Sequence, residues 1–285
     1  MTVISRDILT STIRGLPSLP AVVMELIDSL GRDDLSAEQL ADKLSHDQVL
    51  TAKTLRLANS SFYGVPRKVA SISEAVSILG MRTVRTVVTA AALTGSFKKD
   101  NRTSLDFDAL WRHSIATALC AKGLAEALDL DGESAFTLGL LHDIGRLVLA
   151  TSFAEPYQKA LDYQREHDCL PQEAELATIG LDHTVVGGCI TEHWRFAPAM
   201  VEAVTSHHSP GASSSDVTLA GLVHVADNIA HALGLSRLQD DIVPALNPHV
   251  WSAMKLSPGQ CDQIFTQAQA QFDGLCQALL MSGTS

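Results

Sequence analysis

The sequence predicts an all-α protein. Apolar residues recur at helical spacing through most of its 285 residues, and few segments alternate in the manner of a strand. Residues that cap helices stand at the starts of the apolar runs. Pro20 opens the first such run, Pro20–Leu30, and proline suits a first helical turn. Ser36 with Gln39 three residues on has the form of a capping box ahead of Leu40, Ala41 and Leu44. Asp47 caps the next helix, whose Leu50, Leu55, Leu57 and Ala58 turn inward, and Asn59-Ser60-Ser61 closes it. Ser73 is expected to cap a short helix, Glu74–Leu79, which Gly80 separates from a longer one, Met81–Thr94. The polar stretch Ser96–Asp106 marks a boundary between two helical subdomains, 1–100 and 101–285. Long helices follow at about Phe107–Leu128, Ser134–Ala150, Pro156–Glu166, Asp182–Trp194, Pro198–Ser206, Leu219–Leu233 and Pro258–Leu280, with a loop at Ser209–Asp216.

Composition narrows the function classes. The chain is 46% hydrophobic and 19% charged, as folded soluble domains are. It lacks a secretory pattern at its start, and its apolar runs are too short to span a bilayer, so a cytoplasmic protein without a membrane partner is expected. The five cysteines (Cys120, Cys169, Cys189, Cys261, Cys276) form no Cys-x-x-Cys pair and read as free, packed thiols. Residues 1–100 carry a net charge of +2 and residues 101–285 a net of −13. The acidic part argues against a nucleic-acid groove and suits either metal-binding carboxylates or plain solubility. Residues 36–58 have the outline of a helix-turn-helix, but Lys53 and Arg56 are the only basic residues on its second helix. Asp33, Asp34, Glu38, Asp42 and Asp47 surround them, so no nucleic-acid partner is expected. Arg67, Lys68, Arg82 and Arg85 form the main basic cluster, read as a solvated face or a partner surface.

The chemistry concentrates in Gly139-Leu140-Leu141-His142-Asp143-Ile144-Gly145-Arg146, where an imidazole and a carboxylate stand side by side in an apolar run. Burying both is costly unless something pairs with them, and a metal ion accepts nitrogen and carboxylate oxygen together. His113, His142, Asp143 and Asp227 are candidates for one four-group site. A second ion would use Asp143 as a bridge together with His183, His207 and His208. Such donors suit iron, manganese, nickel or zinc rather than calcium, with one or two ions held and no organic cofactor. The bland alternative is a set of hydrogen-bonded core histidines. Gly187 and Gly188 permit close helix approach beside His183, and the remaining histidines (His46, His167, His193, His224, His231, His249) are read as surface or packing residues.

The order His, His-Asp, His, His-His, Asp resembles the HD phosphohydrolase superfamily. By that resemblance His113, His142, Asp143 and Asp227 correspond to its metal-binding set, and His183, His207 and His208 to the added ligands of its two-metal branch, which includes the HD-GYP enzymes. A further resemblance rests on Leu16-Pro17-Ser18-Leu19-Pro20, His46-Asp47-Gln48-Val49-Leu50, Leu55 to Ser61, Ile72 to Val76 and Leu79-Gly80-Met81-Arg82-Thr83-Val84-Arg85. These ordered motifs are similar to those of the HDOD family, the HD-related output domain of bacterial signalling proteins. The resemblance implies a helical N-terminal subdomain packed on a divergent HD-type bundle. It also implies an output role exercised through a signalling protein partner or a ligand such as a nucleotide or cyclic dinucleotide. Most members have no established catalytic activity. The alternative is a metal-dependent phosphohydrolase acting on a nucleotide or cyclic dinucleotide, with Asp143 and Arg146 as its catalytic groups. Two departures bear on that alternative: Arg146 stands where HD-GYP enzymes have lysine, and Ser209-Pro210-Gly211 follows His207-His208 with no Gly-Tyr-Pro element.

Overall fold

The computed structural model describes residues 3–16, 19–28, 36–45, 47–60, 62–97, 102–211, 217–237 and 242–280, and every regular element among them is a helix. The first hundred residues contribute α1 (Arg6–Arg14), α2 (Ala21–Asp28), α3 (Ala37–Ser45), α4 (Gln48–Ala58), α5 (Ile72–Leu79) and α6 (Met81–Ser96). The remainder supplies α7 (Phe107–Ala127), α8 (Gly132–Leu141), α9 (Ile144–Ser152), α10 (Ala154–His167), α11 (Pro171–Thr178) and α12 (His183–His193). It ends with α13 (Pro198–Ser206), α14 (Leu219–Leu233), α15 (Pro248–Met254) and α16 (Pro258–Leu280). No helix among the described residues is long and apolar enough to cross a membrane.

The N-terminal helices are set by local chemistry. The capping box before α3 forms, with the Ser36 amide donating to Gln39 Oε1 at 2.9 Å and the Gln39 amide to Ser36 Oγ at 3.2 Å. Asp47 caps α4 by accepting from the Leu50 amide at 2.9 Å. Asn59 ends α4 and fastens the following loop: its side chain donates to the Leu55 and Val69 carbonyls and accepts from the Val69 amide. Ser61 and His46, within the motifs singled out above, lie outside the described residues. Gly80, at φ 84°, makes the turn between α5 and α6 that a side chain would strain.

Several boundaries differ from the sequence reading. The cap of α5 is Ser71, not Ser73. Ile72 is buried and already helical, and Ser73 spends its carbonyl on the Ser77 hydroxyl within the helix. Helix α10 begins at Ala154, because Pro156 sits in the first turn, where a missing N–H leaves nothing unpaired. Arg85 is not on a solvated face. It is 2% exposed, since α6 is packed by α2, α4, α5, α8 and α16. Arg82 and Arg67 are exposed, and Arg67 pairs with Glu74 at 3.2 Å.

The largest difference shapes the site. The expected helix Ser134–Ala150 is broken at His142-Asp143 into α8 and α9. Periodicity cannot see this break, since every residue there is compatible with a helix. Tertiary contact imposes it. A Cβ on Gly139 would lie 2.6 Å from Ala118 Cα on α7. A Cβ on Gly145 would collide with the His183 carbonyl and come within 2.8 Å of the Gly187 nitrogen on α12. The two glycines bring the turn between them into backbone contact with α7 on one side and α12 on the other. Helices α7, α8 and α14 form the centre of the second half, α16 covers α7, and α12 bridges α9 and α13. Helix α1 packs on α12, and just before α1 the Ile4 amide donates to the Ile179 carbonyl, at the end of α11, at 3.0 Å.

Adding one methyl at Gly145 should therefore destabilise the fold by about 1–3 kcal/mol, the range for overpacking a dense interior. Urea unfolding of Gly145→Ala should show that loss, while Gly259→Ala, which meets nothing within 4 Å, should match the unsubstituted chain. Equal stability of the two variants would remove the close-contact explanation of the break.

Candidate metal centre

Five elements bring all seven expected residues together. His113 projects from the middle of α7, and Asp227 from α14 packed beside it. His142 and Asp143 occupy the α8–α9 turn. His183 is the first residue of α12, and His207-His208 follow α13. The residues form two groups, His113 with His142 and Asp227, and Asp143 with His183, His207 and His208. Within each group, one donor atom from every residue lies within 4.8 Å of the others. In the first, His113 Nε2 lies 2.9 Å from Asp227 Oδ1 and 3.2 Å from His142 Nε2. In the second, Asp143 Oδ1 lies 3.2 Å from His183 Nε2 and 3.8 Å from His207 Nε2, and His183 Nε2 lies 2.9 Å from His208 Nε2. Asp143 Oδ1 is also 3.8 Å from His142 Nε2, so this carboxylate stands between the groups. Although neighbours on a helical turn diverge by about 100°, His142 and Asp143 bring these two atoms to within 3.8 Å of each other.

The surroundings fix which ring nitrogen faces inward. His142 Nδ1 donates to the Gly139 carbonyl at 2.7 Å, and His207 Nδ1 donates to the Val204 carbonyl at 2.8 Å. His183 Nδ1 meets Glu175 Oε2 at 2.7 Å, and the same oxygen accepts the His183 backbone amide at 2.7 Å. With the proton held on Nδ1, each Nε2 is turned to the interior. That of His207 has no partner there, while those of His142 and His183 lie 3.4 Å from Asp227 Oδ1 and 3.2 Å from Asp143 Oδ1. Against the effect of burial, Glu175 and Asp143 raise His183 to about 9. His207 Nε2, Asp143 Oδ1 and Asp227 Oδ2 are buried with no hydrogen-bond partner. Protons do not fill this need at His207: burial, then His142 and His183, push its imidazole down to about 3, so it stays neutral at physiological pH. Burial alone would raise Asp143 and Asp227. The neighbouring His142, His183 and Arg146 instead hold Asp143 well below the usual carboxylate range, and hydrogen bonds with His113, His142 and His231 do the same for Asp227. The result is a buried cluster of ionised oxygens and imidazole nitrogens, a donor set that fits a divalent cation.

One wall is cationic. Arg146 Nη1 donates to Asp143 Oδ2 at 3.1 Å, leaving Oδ1 for the histidines, and Arg146 Nε donates to Tyr157 Oη at 3.2 Å. A cleft of about 380 Å³ opens over the cluster, reaching Asp143, His183, His208 and Asp227, with Arg146, Arg165 and Arg237 among its walls.

Four residues join the site without having been singled out in this role. Glu175 lies on α11, a helix the periodicity did not mark, although Pro171 with Glu173 is a start signal. Tyr157 steadies Arg146. His231 and His224 are not surface residues. His231 Nε2 is 3.4 Å from Asp227 Oδ1, one helical turn on, and His224 is buried against the His207 carbonyl. His167, by contrast, is exposed and stacks on Tyr163.

Glu175→Gln keeps volume but removes the charge that orients His183. Manganese affinity measured by calorimetry should fall about 10- to 100-fold, the usual effect of removing an outer-shell carboxylate, with the unfolding curve retained. Unchanged affinity would show that Glu175 has no part in the centre.

Comparison with known proteins places this geometry. Residues 16–210 match the family model of the HDOD domain. An HDOD-domain protein of unknown function from Geobacter sulfurreducens has the same fold, with a TM-score of 0.80 at 23% identity over 97% of this chain and 100% of its own. A protein of inferred phosphohydrolase activity from Shewanella amazonensis SB2B is similar at a TM-score of 0.68 and 28% identity, covering 91% of this chain and 97% of its own. Ribonuclease Y of Mycoplasma mycoides is 30% identical over 118 residues, 41% of this chain and 21% of the enzyme. The chain spans less than two fifths of the length of the curated relatives it matches. With the model match extending from Leu16, ahead of α2, to the turn after His208, the chain belongs to the HDOD family.

Proposed function

We propose that this HDOD protein is a metal-dependent phosphohydrolase working in bacterial signal transduction. His113, His142, Asp143 and Asp227 hold one divalent transition metal ion, and Asp143, His183, His207 and His208 hold a second. The observation that carries this reading is the set of acceptors on the clustered residues, His207 Nε2, Asp143 Oδ1 and Asp227 Oδ2, buried without a hydrogen-bond donor. The donor set suits iron, manganese, nickel or zinc. When bound, the ions supply Lewis acidity and stabilise charge as a phosphoester is cleaved. The chain supplies the rest. Asp143, held at one oxygen by Arg146, keeps the other between the two groups. The Arg146 guanidinium, braced by Tyr157, stands in the cleft wall and donates to a phosphate oxygen. Leu105, Leu161 and Leu170 line the cleft and displace water from around the ester. The cleft volume falls in the range of small-ligand sites, which fits a nucleotide-sized substrate. The phosphohydrolase and ribonuclease names of the two relatives support a phosphoester.

A second reading keeps the metal and drops the turnover, leaving an output module that signals through a protein partner. It is favoured by the missing Gly-Tyr-Pro element after His208 and by arginine at position 146.

Elemental analysis of protein purified without chelator, paired with hydrolysis assays on bis(p-nitrophenyl) phosphate and a nucleotide panel, separates the two. The enzyme reading expects about two metal equivalents and turnover, as in two-ion sites, both lost in Asp143→Asn. Arg146→Ala should lower kcat/KM about 10- to 100-fold, the worth of a charged hydrogen bond, with metal content retained. Stoichiometric metal with no turnover on any probe would leave the output module. No metal would refute both.

A further inference from the structure

His224 links two walls of the cleft. It is 2% exposed in the middle of α14. Its Nδ1 donates to the His207 carbonyl at 2.8 Å, which places the proton there and leaves Nε2 bare. That Nε2 accepts the backbone amide of Asn247 at 2.9 Å. Both ring nitrogens are thus used, one on the turn that carries His207 and His208, the other at the end of the extended segment 242–247. Ile242 and Pro244 of that segment line the same cleft as His183 and His208. Asn247 is also the cap of α15, accepting from the His249 and Val250 amides at 3.0 and 3.3 Å. Helix α15 is in turn pressed on α14, since a Cβ at Gly221 would lie 2.9 Å from Val250 Cγ1. The 242–247 wall therefore has a firm C-terminal anchor, and the imidazole is the strut between that anchor and the His207 turn.

We propose that His224 is a positioning residue, tying the cleft wall at Ile242 and Pro244 to the His207-His208 turn so that metal seated on those histidines sets where the wall stands. The inference rests on the metal reading above. An ion seated on His207 would hold its ring, and with it the carbonyl behind, in a defined place. The rigid imidazole carries that placement to Asn247. Metal loading acts on a link already made in the protein, so it steadies the wall further rather than creating the contact.

Hydrogen exchange of the full chain, read by mass spectrometry before and after manganese alone, tests this, with calorimetry on the same samples reporting manganese binding. In the unsubstituted chain manganese should slow exchange across 242–247 by about tenfold, the scale of one buried hydrogen bond. Asn247→Pro removes the linking N–H at a backbone φ of −73° that proline adopts, and it should abolish the slowing while manganese still binds. Asn247→Ala loses the α15 cap but keeps the N–H, and it should retain the slowing. His224→Gln, which can donate and accept at once, should restore most of it, whereas His224→Ala should not. Manganese binding with no response of the wall in the unsubstituted chain, or an equal response in Asn247→Pro, would overturn the link and leave the metal reading standing. No manganese binding would overturn both.

Discussion

The backbone contacts of the α8–α9 turn govern the rest of the second half. Gly139 lies against α7, and Gly145 against the first turn of α12, too close on both sides for any side chain. That double contact breaks what would otherwise be one continuous helix and turns His142 and Asp143 inward together. It also sets the spacing of the helices that bring the other donors. His113 comes from the helix touching Gly139, and His183 from the helix touching Gly145. The turn is thus both the centre of the donor set and the joint that locates it.

The electrostatics follow from that geometry. Dense packing buries two carboxylates and four imidazoles, with His208 half-buried, and the Nδ1 protons of His142, His183 and His207 are engaged by outer partners. Glu175, the Gly139 carbonyl and the Val204 carbonyl act together here, because each consumes an Nδ1–H that would otherwise satisfy an inward acceptor. Inside the cluster the groups pair only in part, His113 with Asp227 at 2.9 Å and His183 with His208 at 2.9 Å. His207 Nε2, Asp143 Oδ1 and Asp227 Oδ2 keep no hydrogen-bond partner, which costs stability until a cation meets them. Arg146 takes one oxygen of Asp143 and shapes the cleft side of the same cluster.

The seven clustered residues were legible in the sequence because histidine and aspartate stand out inside apolar helical runs, and their order resembles that of a known superfamily. All-helical architecture was legible for the same reason of periodicity. What was missed has physical causes. The break at His142-Asp143 comes from contacts between segments distant in the chain, which local propensity does not encode. Glu175 sits in an eight-residue helix too short for a clear period, and its role depends on α11 packing beside α12. Arg82 and Arg85 share a helical face in the sequence, yet only Arg85 is enclosed, by helices from both halves of the chain. His224 and His231 flank Asp227 on α14 at helical spacing, a signal that was available but was read as surface or packing.

The central claim is that the two donor groups form one centre bridged by Asp143. A crystal structure of the manganese-loaded protein, with anomalous differences collected at the manganese edge, tests it most directly. Two peaks about 3.5–4 Å apart, on either side of Asp143, are expected for such a pair of ions. One should be ligated by His113, His142 and Asp227, and the other by His183, His207 and His208. An empty cluster in which the inward nitrogens have rotated onto protein partners, or a single ion that leaves Asp143 unligated, would contradict the account.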